Sequence, residues 1–281
     1  MNILITGAKG FLGKHLTEYY VSKNTVHAPG SQQLDVVSTQ AVDEFFNNHE
    51  IDIVLHTAIK GGKRTDEESY ENLIDNLQMY RNLKRHSNNY RLMINFGSGA
   101  EFDRRYSIDM AREEEILQQY PEDFYGLAKN IITRDILKFD NNIINLRLFG
   151  CFGPHEAPTR FIRGNILNVL RAQPIEIHKN RLMDFFWVKD LCILIDHLIE
   201  QEDIGLKDVN ACYEEKKTLM QIGNIIKSLT KGHPPVILKE KGFALSYTGS
   251  DSRVANLRLN FNGLEAGIRD TYEEVKLKCR K

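Results

Sequence analysis

The chain opens Met1-Asn2-Ile3-Leu4-Ile5-Thr6-Gly7-Ala8-Lys9-Gly10-Phe11-Leu12-Gly13. Residues 2–6 form a short apolar run closed by a glycine, the pattern of a buried strand. A GxxGxxG turn comes next and leads into residues that read as a helix to about residue 23. Glycine is needed where backbone turns tightly and approaches a pyrophosphate. The last glycine lets the helix lie close on the strand, and a helix N-terminus attracts the anion. A glycine motif carries weight only between a strand and a helix, and that context is present. Gly7, Gly10, Phe11, Leu12 and Gly13 are therefore expected to hold a dinucleotide.

Outward from this stretch the pattern repeats. Strands are expected at 25–28, 52–57, 92–96 and 143–149, with helices at 38–49, 70–86 and 122–140. Val42, Phe45 and Phe46 share one side of the helix at 38–49. Short apolar strands alternating with helices imply right-handed βαβ units, a parallel sheet and an α/β Rossmann-type, doubly wound fold. After Phe149 the pattern breaks. Residues 151–163 look like a loop, followed by a helix at 165–172, a strand near 175–177, a helix at 188–200, a basic turn at 231–235 and a helical tail from Leu264. The expected division is a dinucleotide-binding domain at 1–150 and a smaller substrate-binding part at 151–281, with some of its elements returning to the sheet.

Composition narrows the partners. The 281 residues carry 37 Lys and Arg against 38 Asp and Glu, a net charge of -1. A non-specific grip on nucleic acid or an anionic membrane needs a basic excess, so neither is expected. No run approaches the ~18 apolar residues of a membrane span. The opening residues lack the basic region of a signal peptide. Cysteines at 151, 192, 212 and 279 are too scattered for a CxxC metal pair or a disulfide scaffold. A cytoplasmic protein with reduced cysteines and no metal is expected.

Two constellations point to chemistry. An NAD site usually has an acid at the end of the second strand to bind the adenosine ribose 2′-hydroxyl. Here that place reads His27-Ala28-Pro29-Gly30. Asp35 lies further on and reads as a contact to the adenine edge, while Lys9 inside the glycine turn suits a 2′-phosphate. NADP is expected over NAD. Tyr125 and Lys129 stand at i and i+4 of a helix and share a face. Tyrosine, with a reference pKa of ~10, is a poor acid–base group at neutral pH, and a neighbouring ammonium stabilises its phenolate. Ser98 ends a predicted parallel strand, where open α/β sheets place their sites.

With these residues assembled, the chain resembles the extended short-chain dehydrogenase/reductases across nearly its whole length. The likeness rests on GAKGFLG, the strand end His56-Thr57-Ala58, Ser98, YGLAK at 125–129 and RLFGCFGP at 147–154. Asn76 and Asn82 on one helix also fit, with Asn76 tying the helix to the neighbouring strand. Lys9 and Ala58-Ile59-Lys60-Gly61-Gly62 look most like the GDP-fucose synthase branch. The resemblance implies a nucleotide-diphosphate sugar substrate, Ser98, Tyr125 and Lys129 as catalytic residues, Thr57, Ala58 and Lys129 at the cofactor, and a homodimer. Phe152, His155, Arg160, Arg181 and Arg253 become substrate candidates, with Arg163 and Trp187 behind them.

The departures from the family pattern are equally specific. Its dehydratases carry Asp-Glu directly after the Ser or Thr, where this chain has Gly99 and Ala100. Glu101 comes one place late and, on a continued strand, would face the other way. The cysteine and histidine that resemble an epimerising pair fall on Ala100 and Arg160, with His155 nearby. Alanine moves no proton and arginine stays protonated. The expectation is an NADPH-dependent reductase of a nucleotide-linked 4-keto-6-deoxy sugar in deoxysugar biosynthesis for surface polysaccharide. The alternatives are a 4-epimerase with tightly bound NAD and a non-catalytic NADP-binding scaffold or sensor.

Overall fold

Ile3, Leu4 and Ile5 are all fully buried, so the first strand has apolar neighbours on both faces. A computed structural model describes residues 1–62, 69–139, 142–201, 205–232 and 234–279. Asp140, His233, Arg280 and Lys281, which fall in the expected helix, turn and tail, lie outside them. The first half contains β1 (Asn2–Thr6), α1 (Phe11–Tyr20), β2 (Thr25–His27), α2 (Thr39–Asn48), β3 (Ile53–His56), α3 (Tyr70–Lys84), β4 (Leu92–Ser98), β5 (Ile108–Ala111), α4 (Phe124–Lys138) and β6 (Ile143–Leu148). The second half contains β7 (Cys151–Phe152), α5 (Phe161–Leu170), β8 (Ile175–Asn180), β9 (Phe186–Trp187), α6 (Val188–Glu200), β10 (Asp208–Ala211), α7 (Leu219–Ser228), β11 (Val236–Phe243), β12 (Tyr247–Gly249), α8 (Ser252–Asn256) and α9 (Leu264–Cys279).

Six strands make one sheet in the order β10-β6-β4-β3-β1-β2. The pairs from β2 through β6 are parallel. Leu4, Val54, Met93 and Ile143 stand in register across four strands. They share a core with Val42 and Phe46 of α2, Met79 and Leu83 of α3, and Ile132 and Ile136 of α4. The adjacent row, Ile5, Leu55, Ile94 and Ile144, is buried as well. A sheet covered on both faces explains the apolar strand sequences. The chain winds outward from β1 to β2, then returns past β1 to β3. The crevice at the carboxyl ends of β1 and β3 is therefore the switch point where ligands of such sheets bind.

The chain divides into two compact units, one of residues Met1–Arg105, Arg112–Leu148 and Ile195–Asn210, the other of Tyr106–Ala111, Phe149–Leu194 and Ala211–Lys281. The second contains three two-stranded parallel pairs, β11 with β8, β12 with β5 and β7 with β9. Within it the Asp190 carboxylate accepts hydrogen bonds from Tyr213 Oη at 2.6 Å, Asn262 N at 3.0 Å and Gly263 N at 2.9 Å. Gly267 lets α9 press on the Trp187 ring, where a Cβ would stand 2.5 Å from Cγ.

Several elements differ from the sequence reading. The helix expected at 165–172 begins one turn earlier, at Phe161, because Gly164 is helical rather than a breaker. A Cβ on Gly164 would approach Pro158 O to 2.7 Å, so the glycine serves close packing. Strand β4 runs on to Ser98. The stretch 151–163 holds β7 and the start of α5 as well as loop. No described helix is long and apolar enough to cross a membrane.

Candidate active site

The glycine turn is built by close approach. Gly7 has φ +70°, and a Cβ there would lie 2.6 Å from Ala58 N and 2.7 Å from Ala58 Cα, so only glycine lets the turns after β1 and β3 touch. A Cβ on Gly13 would lie 2.7 Å from Ala8 Cα. Helix α1 starts at Phe11 with Gly10 as N-cap, no side-chain cap and no acid in its first turn. Its leading amides thus remain available to an anion. Thr57 Oγ1 donates to Thr6 O at 2.6 Å, and Ala58 N donates to Thr6 Oγ1 at 3.3 Å, fixing the crevice. Thr6 Oγ1 also bonds His56 Nδ1 at 2.8 Å. Burial, aided by the Lys129 charge, lowers the His56 pKa to about 3 and keeps the ring neutral.

A cleft of about 170 Å³ opens here, lined among others by Gly7, Pro29, Ser31, Asp35, Ala58 and Met79. Asp35 is exposed, and its Oδ1 accepts from Val37 N at 3.0 Å. Lys9 reaches across to the end of β2, where a Cβ on Gly30 would lie 3.1 Å from its Nζ. A glycine cradle, uncapped amides and a lysine at the second strand's end fit a dinucleotide carrying a 2′-phosphate.

Ser98, Tyr125 and Lys129 are gathered at the end of β4. Ser98 is its last residue, and its Oγ accepts from Ala100 N at 3.2 Å in a one-turn 3-10 helix, Gly99–Phe102. Helix α4 reaches that turn because Gly126 has no side chain; a Cβ would stand 2.6 Å from Ala100 O. Asp123 caps α4, its Oδ1 accepting from Gly126 N at 2.6 Å. Lys129 Nζ donates to Phe96 O at 2.6 Å. Burial lowers the Lys129 pKa to about 8, and the Glu101 charge opposes that fall. Tyr125 is half-buried, its ring edge against Gly62, where a Cβ would stand 2.7 Å from Cε2. The Arg104 guanidinium lies 6.0 Å from the ring centre.

Glu101 corrects the sequence reading. The chain does not continue as a strand after Ser98, and the 3-10 turn sends this carboxylate inward, fully buried. Glu101 Oε1 accepts from Ser98 N at 2.8 Å, and Oε2 accepts from Arg147 Nε at 2.7 Å and Thr133 Oγ1 at 3.0 Å. Arg147, also fully buried, donates onward to Asp208 Oδ2 at 3.1 Å and Asn210 Oδ1 at 2.8 Å. Both are functional-site neighbours that sequence reasoning missed. Ser98-Gly99-Ala100-Glu101 is nonetheless the S-x-x-E signature of a capping box.

The two helix asparagines brace the crevice. Asn76 exchanges two 2.9 Å hydrogen bonds with the Lys60 backbone, in the loop after β3 rather than the strand itself. Asn82 Nδ2 donates to Val36 O and Val37 O, both at 2.9 Å.

The expected substrate residues lie in the second unit. Phe152 is in β7 and fully buried, and Trp187 is buried in β9. His155 and Arg160 share the segment between β7 and α5. Arg160 Nε pairs with Glu156 Oε1 at 3.3 Å, and Arg163 donates to Glu156 O at 2.5 Å. Burial raises the Glu156 pKa to about 7 against the pull of Arg160. Arg181 lies just past β8, its guanidinium 5.8 Å from the Tyr247 ring centre, and Arg253 lies in α8.

The model of the NAD dependent epimerase/dehydratase family matches residues 3–212. GDP-L-colitose synthase of Yersinia pseudotuberculosis is 30% identical over 138 residues, a match covering 46% of this chain and 44% of that protein. The chain therefore spans less than half the length of this curated relative. GDP-mannoheptose C4 reductase from Campylobacter jejuni, solved with NADP bound, superposes with a TM-score of 0.80 at 20% identity, covering 99% of this chain and 98% of that one. UDP-glucose 4-epimerase from Thermotoga maritima, solved with UDP-glucose, also gives 0.80 at 18% identity over 100% of both chains. Reductase and epimerase fit equally well, so the shared fold does not choose between the reactions.

Proposed function

Because the chain belongs to the NAD dependent epimerase/dehydratase family, we propose that it is an NADPH-dependent reductase of a nucleotide-diphosphate-linked 4-keto-6-deoxy sugar. The observation that carries this reading is the chemistry of the three residues after Ser98. Gly99 and Ala100 offer no acid or base, and the one carboxylate close behind, Glu101, is committed to Ser98 N, Thr133 and Arg147. A dehydratase or an epimerising reductase needs a proton-moving side chain there, and a simple reductase does not. GDP-L-colitose synthase and GDP-mannoheptose C4 reductase, to which the chain is similar, are both GDP-sugar enzymes and support the substrate class.

In this reading Gly7, Gly10, Phe11, Leu12 and Gly13 hold the pyrophosphate, Lys9 the 2′-phosphate and Asp35 the adenine side. Thr57, Ala58 and Lys129 line the nicotinamide half. When bound, the reduced nicotinamide supplies the hydride. Ser98 donates a hydrogen bond to the substrate carbonyl oxygen and orients it. Tyr125 gives its phenolic proton to that oxygen as negative charge develops. The Lys129 ammonium, one turn along the same helix, stabilises the phenolate left behind. His155, Arg160, Arg181 and Arg253 are the candidates for the nucleotide-sugar. His56, kept neutral, adds no competing charge beneath the crevice.

The test is to measure NADPH oxidation with GDP-, dTDP-, CDP- and UDP-linked 4-keto-6-deoxy sugars, GDP first. The product is expected to gain one deuterium at carbon 4 from labelled NADPH. In heavy water, no enzyme-dependent deuterium should enter carbons 3 or 5. Tyr125→Phe should lose about 10²–10⁴-fold in rate while still binding NADPH. Deuterium at carbon 3 or 5, turnover without added NADPH, or a fully active Tyr125→Phe would each overturn the proposal.

A further inference from the structure

We propose that Glu101 is a positioning residue of this site, a single buried carboxylate that fixes the Ser98 backbone and supplies the negative charge facing the Lys129 ammonium. The inference rests on the roles proposed for Ser98, Tyr125 and Lys129.

Geometry makes the first half of the case. Lys129 and Glu101 grip the same strand end two residues apart, Lys129 at Phe96 O and Glu101 at Ser98 N. The carboxylate enters because Gly97 has no side chain. A Cβ there would stand 2.5 Å from Asn145 Nδ2 and collide with Glu101 Oε1. The carboxylate's other oxygen is held by Thr133, one turn beyond Lys129 on α4, so the catalytic helix and the strand end are joined through one side chain. A buried charge left unpaired is costly, and Arg147 satisfies this one. Arg147 is in turn balanced by Asp208 and stacked 4.8 Å from the Phe102 ring centre.

Electrostatics make the second half. Lys129 is nearly fully buried, and burial alone favours its neutral amine. The charged and titratable groups that act on it are neutral His56 from β3 and Glu101 from the 3-10 turn, while Tyr125 and Thr133 stand one turn away on its own helix. Behind Glu101 stand Arg147 from β6 and Asp208 from β10. Of these, Glu101 opposes the loss of the Lys129 proton. A neutral Lys129 would stabilise no phenolate, so Glu101 acts on the chemistry through Lys129 without touching substrate.

The test uses the full chain made with ¹³C,¹⁵N-lysine. The Cε–Nζ correlation of Lys129, assigned by its loss in Lys129→Arg, is titrated in the wild type and in Glu101→Gln. Glutamine keeps the acceptor for Ser98 N and removes the charge. The Lys129 midpoint is expected to fall by about one unit or more. The rate of NADPH-dependent reduction should stay near wild type at pH 6.5 and drop about tenfold at pH 9. An unchanged midpoint, or a rate loss equal at every pH, overturns the inference. Where Glu101→Gln does not fold, Glu101→Asp decides, because it withdraws the carboxylate by one carbon. Wild-type midpoint and rate in that variant overturn the inference. The Lys129 titration needs no substrate, so it stands apart from the catalytic reading: a fully active Tyr125→Phe removes that reading whatever the midpoint does.

Discussion

Lys9 lies in the second position after Gly7, yet its ammonium stands over Gly30, at the far end of β2. Of the two readings of a lysine in a glycine turn, a solvated surface charge and a contact to a 2′-phosphate, that position favours the second as a proposal. The second strand ends without an acid, and the tip of Lys9 occupies the space beside Gly30. Lys9→Ala should therefore weaken NADPH while leaving NADH almost unchanged. A charge-assisted contact is worth about 1.5–3 kcal/mol, so the preference should fall roughly ten- to a hundredfold. Titration of cofactor binding by fluorescence checks this, and equal losses for both cofactors would contradict it. Lys9, Ser98, Tyr125 and Lys129 stand out in the sequence as candidates because each falls in a short motif or at a strand end, next to its neighbours in the chain. Arg147 does not, since its partners lie 46 and 61 residues away and only the sheet brings them together. Glu101 is half legible: S-x-x-E marks a capping box, but reading the segment as continued strand turns the carboxylate the wrong way.

At the scale of elements, the junction of α4 with the turn after β4 brings the proposed catalytic residues together. Gly126 is the point of contact, with Ala100 O and Pro121 Cβ where its own Cβ would be, at 2.6 and 2.9 Å. Backbone and a proline ring cannot yield as a flexible side chain would. Gly126→Ala should push α4 away from Ser98, costing about 1–3 kcal/mol in stability and lowering turnover further than the lost stability explains. Gly232→Ala, with nothing within 4 Å of its Cβ, is the control and should stay within about 0.5 kcal/mol of the wild type. Urea unfolding and steady-state kinetics on both variants decide, and a fully active Gly126→Ala would refute the argument. The same logic explains which elements the sequence shows. Strands β1, β3, β4 and β6 are apolar because both sheet faces are covered. Strand β11 reads VILKEKGF and is largely exposed, so it carries no burial pattern. Strands β5 and β12 have four and three residues, too few to show a period.

For the whole molecule, the buried titratable groups give the two units opposite responses to acid. In the sheet-bearing unit His56 has its pKa lowered to about 3 by burial. The unfolded chain takes up that proton near the ordinary histidine value of 6.5. Between those values the unfolded state binds more protons, so stability falls with falling pH, by about 1.4 kcal/mol per unit at the steepest. In the other unit burial raises Glu156 to about 7 and Asp184 to about 6, the latter against the pull of Lys216. There the folded state holds protons that the unfolded chain has released, so stability rises as pH falls through 7 and 6. Neither response shows in a net charge of -1, because both come from where groups are buried and not from how many there are. The measurement is urea unfolding from pH 7.5 to 4.5 for the wild type, His56→Asn and Glu156→Gln. Relative to wild type, His56→Asn should gain stability steadily as pH drops below 6.5, on top of a constant offset for the lost Thr6 bond. Glu156→Gln should lose relative stability over pH 7 to 5, since the wild-type carboxyl is being protonated into its favoured form. A His56→Asn difference that is flat with pH would mean that the ring takes up its proton in the folded chain as readily as in the unfolded one. The crevice beneath the proposed cofactor site would then carry a positive charge at about pH 6.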